Sequence, residues 1–179
     1  LFYGIVLFVG TLTSITSSSI SLEGKTINIT KSLPISEKMI LKSKILMALI
    51  IESPFILISD LLFIIKFTPS ITYIIILLLL SIITIVLSAI IGLLVNLKYP
   101  KLNASSDTEV VKQSASSMIS VFIGITIAII SLLGINYFSD KYSLMSLMSI
   151  NVLILLITTV ILYQILINFG PKEYKKLNA

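Results

Sequence analysis

Neither cysteine nor histidine occurs in this chain. Their absence removes disulfides, thiolate nucleophiles, haem and iron–sulfur ligation, most zinc sites and any triad built on imidazole. Charge is also scarce, at 12% of 179 residues. The sequence holds no G-x-x-x-x-G-K-[ST] loop, so it does not bind and hydrolyse ATP in the P-loop manner, and no H-E-x-x-H pair of a zinc protease. The net charge of +5 comes without the aromatic interleaving or fold pattern of a nucleic-acid binder. Most enzyme classes end with these absences, and no catalytic, cofactor or metal site is expected.

What is present is apolar. Hydrophobic residues make up 56% of the chain and mean hydropathy is +1.11, outside the range of soluble domains. A hydrocarbon core about 30 Å thick takes roughly 20 apolar residues of helix. Five segments meet that length: 1–22, 45–65, 73–97, 118–138 and 144–169. They recur along the whole chain, unlike a signal peptide, and lack the alternation of barrel strands. Backbone groups in lipid must be satisfied within the segment, so all five read as helices of an all-α membrane bundle, a single transmembrane domain over residues 1–179. No internal repeat or low-complexity linker divides it.

Lysine sets the orientation. With residues 23–44 on the cytoplasmic side, Lys25, Lys31, Lys38, Lys42, Lys44, Lys98, Lys101, Lys112, Lys172, Lys175 and Lys176 lie inside, leaving Lys66 and Lys141 outside. The outer connections, 67–72 and 139–143, are short enough for tight turns between antiparallel helices. Tyr73, Tyr99, Tyr137, Tyr142 and Tyr174 fall near predicted helix ends, where such rings favour the headgroup level. The long connections, 23–44 and 98–114, are then both cytoplasmic. In the second, Pro100 helps to end the third span, and Ser106 with Glu109 has capping-box spacing, so a helix starts near Asp107 and runs into the fourth span.

Several stretches admit both a functional and a packing reading. TLTSITSSSIS, 11–21, places eight hydroxyl side chains in eleven positions. Bonded back to helix carbonyls they leave the segment helical, either as a close helix contact or as a polar wall of a translocation path. Ser116, Ser120, Gly124 and Ala128 repeat every four residues, as do Ser88 and Gly92, which reads as small-residue helix packing. Glu52 and Asp60 interrupt the second span, where ionisable groups are costly enough to be functional candidates. Eight residues of helix put them about 12 Å apart along the axis and about 80° apart around it, so they are not one paired-carboxylate site. Asp60 is placed near the outer interface close to Lys66. Glu52 is deeper, two residues before Pro54, where a kink would free carbonyls and admit water.

The opening of the first loop is chemically dense. Gly24, between Glu23 and Lys25, permits a sharp exit from the first span. Ile27, Ile29 and Leu33 make a short amphipathic piece that ends at Pro34, and Ser36 caps a new helix starting at Glu37. An acidic residue and glycine at the end of a span, then a Leu-Pro-x-Ser element and a lysine leading into the next span, resembles the first cytoplasmic loop of type-2 ABC transporter permeases. Here those positions are Glu23, Gly24, Leu33, Pro34, Ser36 and Lys44. In the second loop, Asn96-Leu97, Pro100, Leu102 and Thr108 to Ser114, including Glu109 and Lys112, resemble large ABC permeases of low-GC Gram-positive bacteria. The all-lysine, isoleucine-rich usage agrees with an AT-rich bacterial genome.

The resemblance implies a multi-pass permease subunit in the bacterial cell membrane that moves a substrate outward. It implies a separate ATP-binding subunit carrying ATP and Mg, and a second permease half or a second copy of the chain. It places the ATPase-coupling helix in the first loop. Leu1 opens inside an apolar run and the family core has six spans, so the chain reads as the C-terminal part of a longer permease. The last span adds only hydrophobicity to the likeness. Two other classes remain open: a non-transporting membrane immunity or stress protein, and an ion-coupled carrier using Glu52 and Asp60.

Overall fold

The computed structural model describes residues 1–104 and 106–177, with backbone alone at Lys25, Lys112 and Gln113. Among the described residues all regular structure is helical. In chain order the elements are α1 (Phe2–Leu12), two 3₁₀ turns (Ile15–Ser17 and Ser21–Thr26), α2 (Ile27–Ser32), α3 (Glu37–Phe67), α4 (Ile71–Lys98), α5 (Asp107–Gln113), α6 (Ala115–Phe138) and α7 (Leu144–Lys176). Among the described residues five stretches are long and apolar enough to cross a membrane, the first of them, Phe2–Gly24, only if its interrupted parts are taken together.

Serine starts every long helix after the first. The hydroxyls of Ser36, Ser70, Ser114 and Ser143 accept from the N–H groups of Met39, Tyr73, Ser117 and Ser146 at 3.4, 3.4, 3.2 and 3.3 Å, each satisfying one of the donors a helix start leaves free. The far ends follow the dipole rule, with Lys66, Lys98, Lys175 and Lys176 in last turns. Thr68, at φ 40° and ψ 54°, closes α3 in the left-handed region.

α4 is the central helix. It packs against α3, α7, α1, α6 and the first 3₁₀ turn. Its buried face feeds two apolar clusters. Leu77, Leu80 and Leu87 meet Tyr3, Leu7 and Val152 in one, and Ile90, Leu93 and Leu97 meet Ile20, Leu41 and Leu166 in the other. The predicted small-residue stripe of α6 is its buried face: Ser116, Ser120, Gly124 and Ala128.

Three sequence expectations need correction. The first segment is not one helix. α1 stops after 11 residues, which rise about 16 Å, roughly half the hydrocarbon core. Thr13 (φ −70°, ψ 119°) and Ser14 (φ −146°, ψ 81°) then leave helical space. The cause lies in its neighbours. A Cβ on Gly92 of α4 would sit 2.1 Å from Ser14 Oγ and 2.4 Å from Thr16 Oγ1, and one on Gly124 of α6 would sit 2.2 Å from the Thr11 carbonyl oxygen. These glycines let the unwound chain reach partners outside itself, and Thr16 Oγ1 donates to Ala89 O at 2.7 Å.

Second, the helix that starts at Asp107 does not run unbroken into the fourth span, because Ser114 (φ −82°, ψ 143°) separates α5 from α6. Third, the last helix does not end at Phe169 but continues through Gly170-Pro171 to Lys176. A Cβ on Gly170 would lie 2.8 Å from Leu41 Cδ1, so the glycine serves a close crossing on α3. α3 is likewise unbroken at Pro54.

Candidate functional site

The two long loops and the end of α7 meet at one end of the bundle, where the lysines gather. Gly24 adopts φ 48°, the sharp exit its position suggested, and a Cβ there would meet Leu102 O of the second loop at 3.3 Å. The Lys101 N–H donates to Ser21 Oγ at 2.9 Å, tying the same two loops together. The second loop is closed by its own residues. Lys101 Nζ pairs with Glu109 at 2.6 Å, Ser106 caps α5 as predicted with Thr108 Oγ1 3.0 Å from its hydroxyl, and Pro100 follows directly on the end of α4.

Glu23 is the hub of this end. One carboxylate oxygen pairs with Lys44 Nζ at 2.6 Å, and the other accepts from Tyr174 Oη at 2.7 Å. Lys44 also donates to Ser19 O at 3.0 Å, so a single group joins the first segment, α3 and α7. Lys31 Nζ of α2 donates to the carbonyl oxygens of Lys175 (3.1 Å) and Leu177, and Lys175 pairs with Glu37 at 3.2 Å. Tyr174 is therefore a buried strut, not the headgroup anchor its position suggested. α7, which had offered only hydrophobicity in the sequence, supplies this brace.

Held on that brace is an exposed apolar knuckle. Ile29, Leu33, Ile35 and Met39 are 65, 47, 42 and 61% exposed, and Pro34 and Ser36 at the turn are exposed as well. The structure thus brings Leu33, Pro34 and Ser36 together at the tip, with Glu23, Gly24 and Lys44 at its base. The side chains of Lys25 and Lys112 lie outside the described residues.

Asn96 was missed as a site residue in its own right. Fully buried on α4, it accepts the Ile20 and Ser21 N–H groups at 2.8 and 3.1 Å and donates to Ser21 and Ser116 hydroxyls at 2.7 and 3.0 Å. All four of its hydrogen-bonding positions are used to hold the unwound first segment against α4 and α6.

The two intramembrane carboxylates are buried and separate. Asp60 is 0% exposed and accepts from Ser81 of α4 at 2.6 Å; Lys66, its expected neighbour, lies instead over the Phe67 ring. Glu52 is 7% exposed, and one oxygen accepts the Ile15 N–H at 3.3 Å, a donor released by the break after α1. Its other oxygen, Oε2, has no hydrogen-bond partner. The residue lines an open cavity of about 540 Å³ between the unwound segment, α3 and α6. The break in helical structure beside Glu52 lies across from it, in the first segment.

No curated protein and no solved structure matches the chain. A family model described as "Membrane protein of 12 TMs" matches residues 1–164, nearly the whole sequence, and the chain belongs to that family of multi-span membrane proteins.

Proposed function

We propose that this chain is a permease subunit of an ATP-driven ABC exporter in the bacterial cell membrane, and that loop 23–44 couples it to a separate ATP-binding subunit. In this reading ATP and Mg bind only the partner, lipid surrounds the spans, and a second permease half or a second copy completes the pathway. The observation that carries it is the braced knuckle. Four large apolar side chains exposed in one loop, at the most lysine-rich end, form a surface that water does not favour and a partner would cover. Its ties to α3 and α7 through Lys31, Glu23 and Lys44 let a push on the tip reach two spans. Coupling of this kind needs a packed element with discrete positions.

The test is purification of the tagged chain from its native membrane with ATP hydrolysis as the readout. ATPase activity is expected to co-elute, and the double variant Leu33→Gly, Pro34→Gly is expected to elute as a monodisperse protein without it. Unchanged ATPase association in that variant would remove the coupling role. A second reading, an ion-coupled carrier, draws on the helix break opposite Glu52, because carriers build midplane sites from discontinuous helices. It predicts no co-eluting ATPase and uptake that follows an ion gradient in proteoliposomes.

A further inference from the structure

We propose that the cavity at Glu52 binds an amphipathic ammonium ion, a compound with an apolar body and one protonated amine. Its floor holds one carboxylate, that of Glu52. Glu52 Oε2 has no partner, while two of the hydroxyl groups beside it donate to carbonyls of the protein, Ser14 Oγ to Ser88 O (3.2 Å) and Ser17 Oγ to Ser14 O (2.7 Å). Glu52 brings the charge at this floor and an unfilled acceptor, so a matching ligand brings N–H donors and positive charge.

The walls decide the rest of the ligand. Ile51, Phe55 and Val121 are 40, 73 and 39% exposed around the floor, and Phe55 adds an aromatic face able to meet a cation. A bare metal ion would need oxygen donors on several sides. Ile51, Phe55 and Val121 supply none, and no cluster of three or more acidic, Cys or His residues exists among the described residues. One carboxylate balances one positive charge. A volume of about 540 Å³ falls in the range of small-molecule sites, roughly 300–1,000 Å³, with the usual pattern of apolar lining and few polar groups.

The inference names a substrate class for the transport reading and rests on it only for the fate of the ligand. Binding itself needs no ATPase, so the two fail separately. The experiment is a fluorescence titration of the full chain in lipid nanodiscs with dansylcadaverine, an aromatic body on a primary alkylamine, against its N-acetyl derivative and empty nanodiscs. Saturable binding of the amine is expected, weakened at least tenfold by Glu52→Gln and unchanged by Asp60→Asn. The acetylated probe is expected to bind wild type and Glu52→Gln equally weakly. Val121→Trp, which fills the cavity and keeps the carboxylate, is expected to lose the amine too, guarding against a Glu52 variant that merely misfolds. Equal binding of amine and acetyl probes overturns the proposal. So does equal loss in Asp60→Asn, or displacement by millimolar sodium at fixed ionic strength, which would mark a small-cation site.

Discussion

The seam around the first segment and the knuckle at the loop end treat exposed chemistry in opposite ways. At the seam, polar groups are drawn inward and, Glu52 Oε2 apart, paired: Asn96 uses all its positions, and Gly92 and Gly124 leave no room for a methyl group. At the knuckle, apolar groups are pushed outward and left bare, while the charges beneath them do the pairing. The difference separates what folding requires from what folding merely permits. Unwound backbone in a membrane survives only where protein satisfies it, so the seam is obligatory for the fold. Nothing in the packing of the fold requires Leu33 or Ile35 to be apolar, and under the proposed coupling role their exposure is the surface a partner would cover.

The contrast breaks hardest at Gly92. Leucine there would drive its side chain into Ser14, Thr16 and the backbone of Ser17, beyond ordinary overpacking. A loss of about 3 kcal/mol is expected, read as a collapse of the monodisperse fraction in detergent. Gly134→Leu is the control, since a Cβ at Gly134 meets nothing within 4 Å, and it should behave as wild type. Asn96→Ala comes next. It strands the buried N–H groups of Ile20 and Ser21, while the Ser21 and Ser116 hydroxyls keep Lys101 N–H and Ser114 Oγ as partners, and about 2 kcal/mol is expected, seen as a lower unfolding midpoint and faster proteolysis near Ser21. Wild-type behaviour of either Gly92→Leu or Asn96→Ala would mean the first segment is not held at this seam.

Much of this arrangement was legible in the sequence. Length and apolarity marked the five spanning stretches, and local chemistry marked Gly24, Ser36 and Ser106, because turns and caps are decided within a few residues. The small-residue stripe of α6 was legible for the same reason, as spacing alone defines a helix face. The break at Thr13 was not. A run of Ser and Thr fits a helix as well as a coil, and the choice fell to Gly92, Gly124 and Asn96, which are far away in sequence. Tyr174 was hidden likewise, its partner Glu23 lying 151 residues away. Pro54 and Pro171 both lie inside continuous helices, which a bundle tolerates.

Glu23 sits between the two regions, and its removal should sharpen the boundary. Glu23→Ala leaves Lys44, whose side chain is 12% exposed, with only the Ser19 carbonyl, and frees the Tyr174 hydroxyl. About 1.5 kcal/mol of destabilisation is expected, less than for Asn96→Ala because water can reach this end. The informative outcome is uncoupling: α7 should become more sensitive to protease around Lys172 while the seam stays protected. Matched loss of protection at both would join the two regions into one cooperative unit.

The smallest effect on folding is expected at the tip, and it tests whether the knuckle works by stiffness or by surface. Leu33→Ser with Ile35→Ser keeps Pro34, the Ser36 cap and the brace of Lys31 on α7, so the loop geometry is retained. Both side chains are 42% exposed or more, and polar substitution there should change stability by less than about 0.5 kcal/mol. If the bare apolar surface is what a partner covers, ATPase association falls as far as in the Leu33→Gly, Pro34→Gly variant although the loop remains stiff. If association survives the serines and fails only with the glycines, docking is made by other groups of the loop and the knuckle transmits force without providing the contact. Survival in both variants would leave the exposed apolar tip without a partner at this end and withdraw the physical support for the coupling reading.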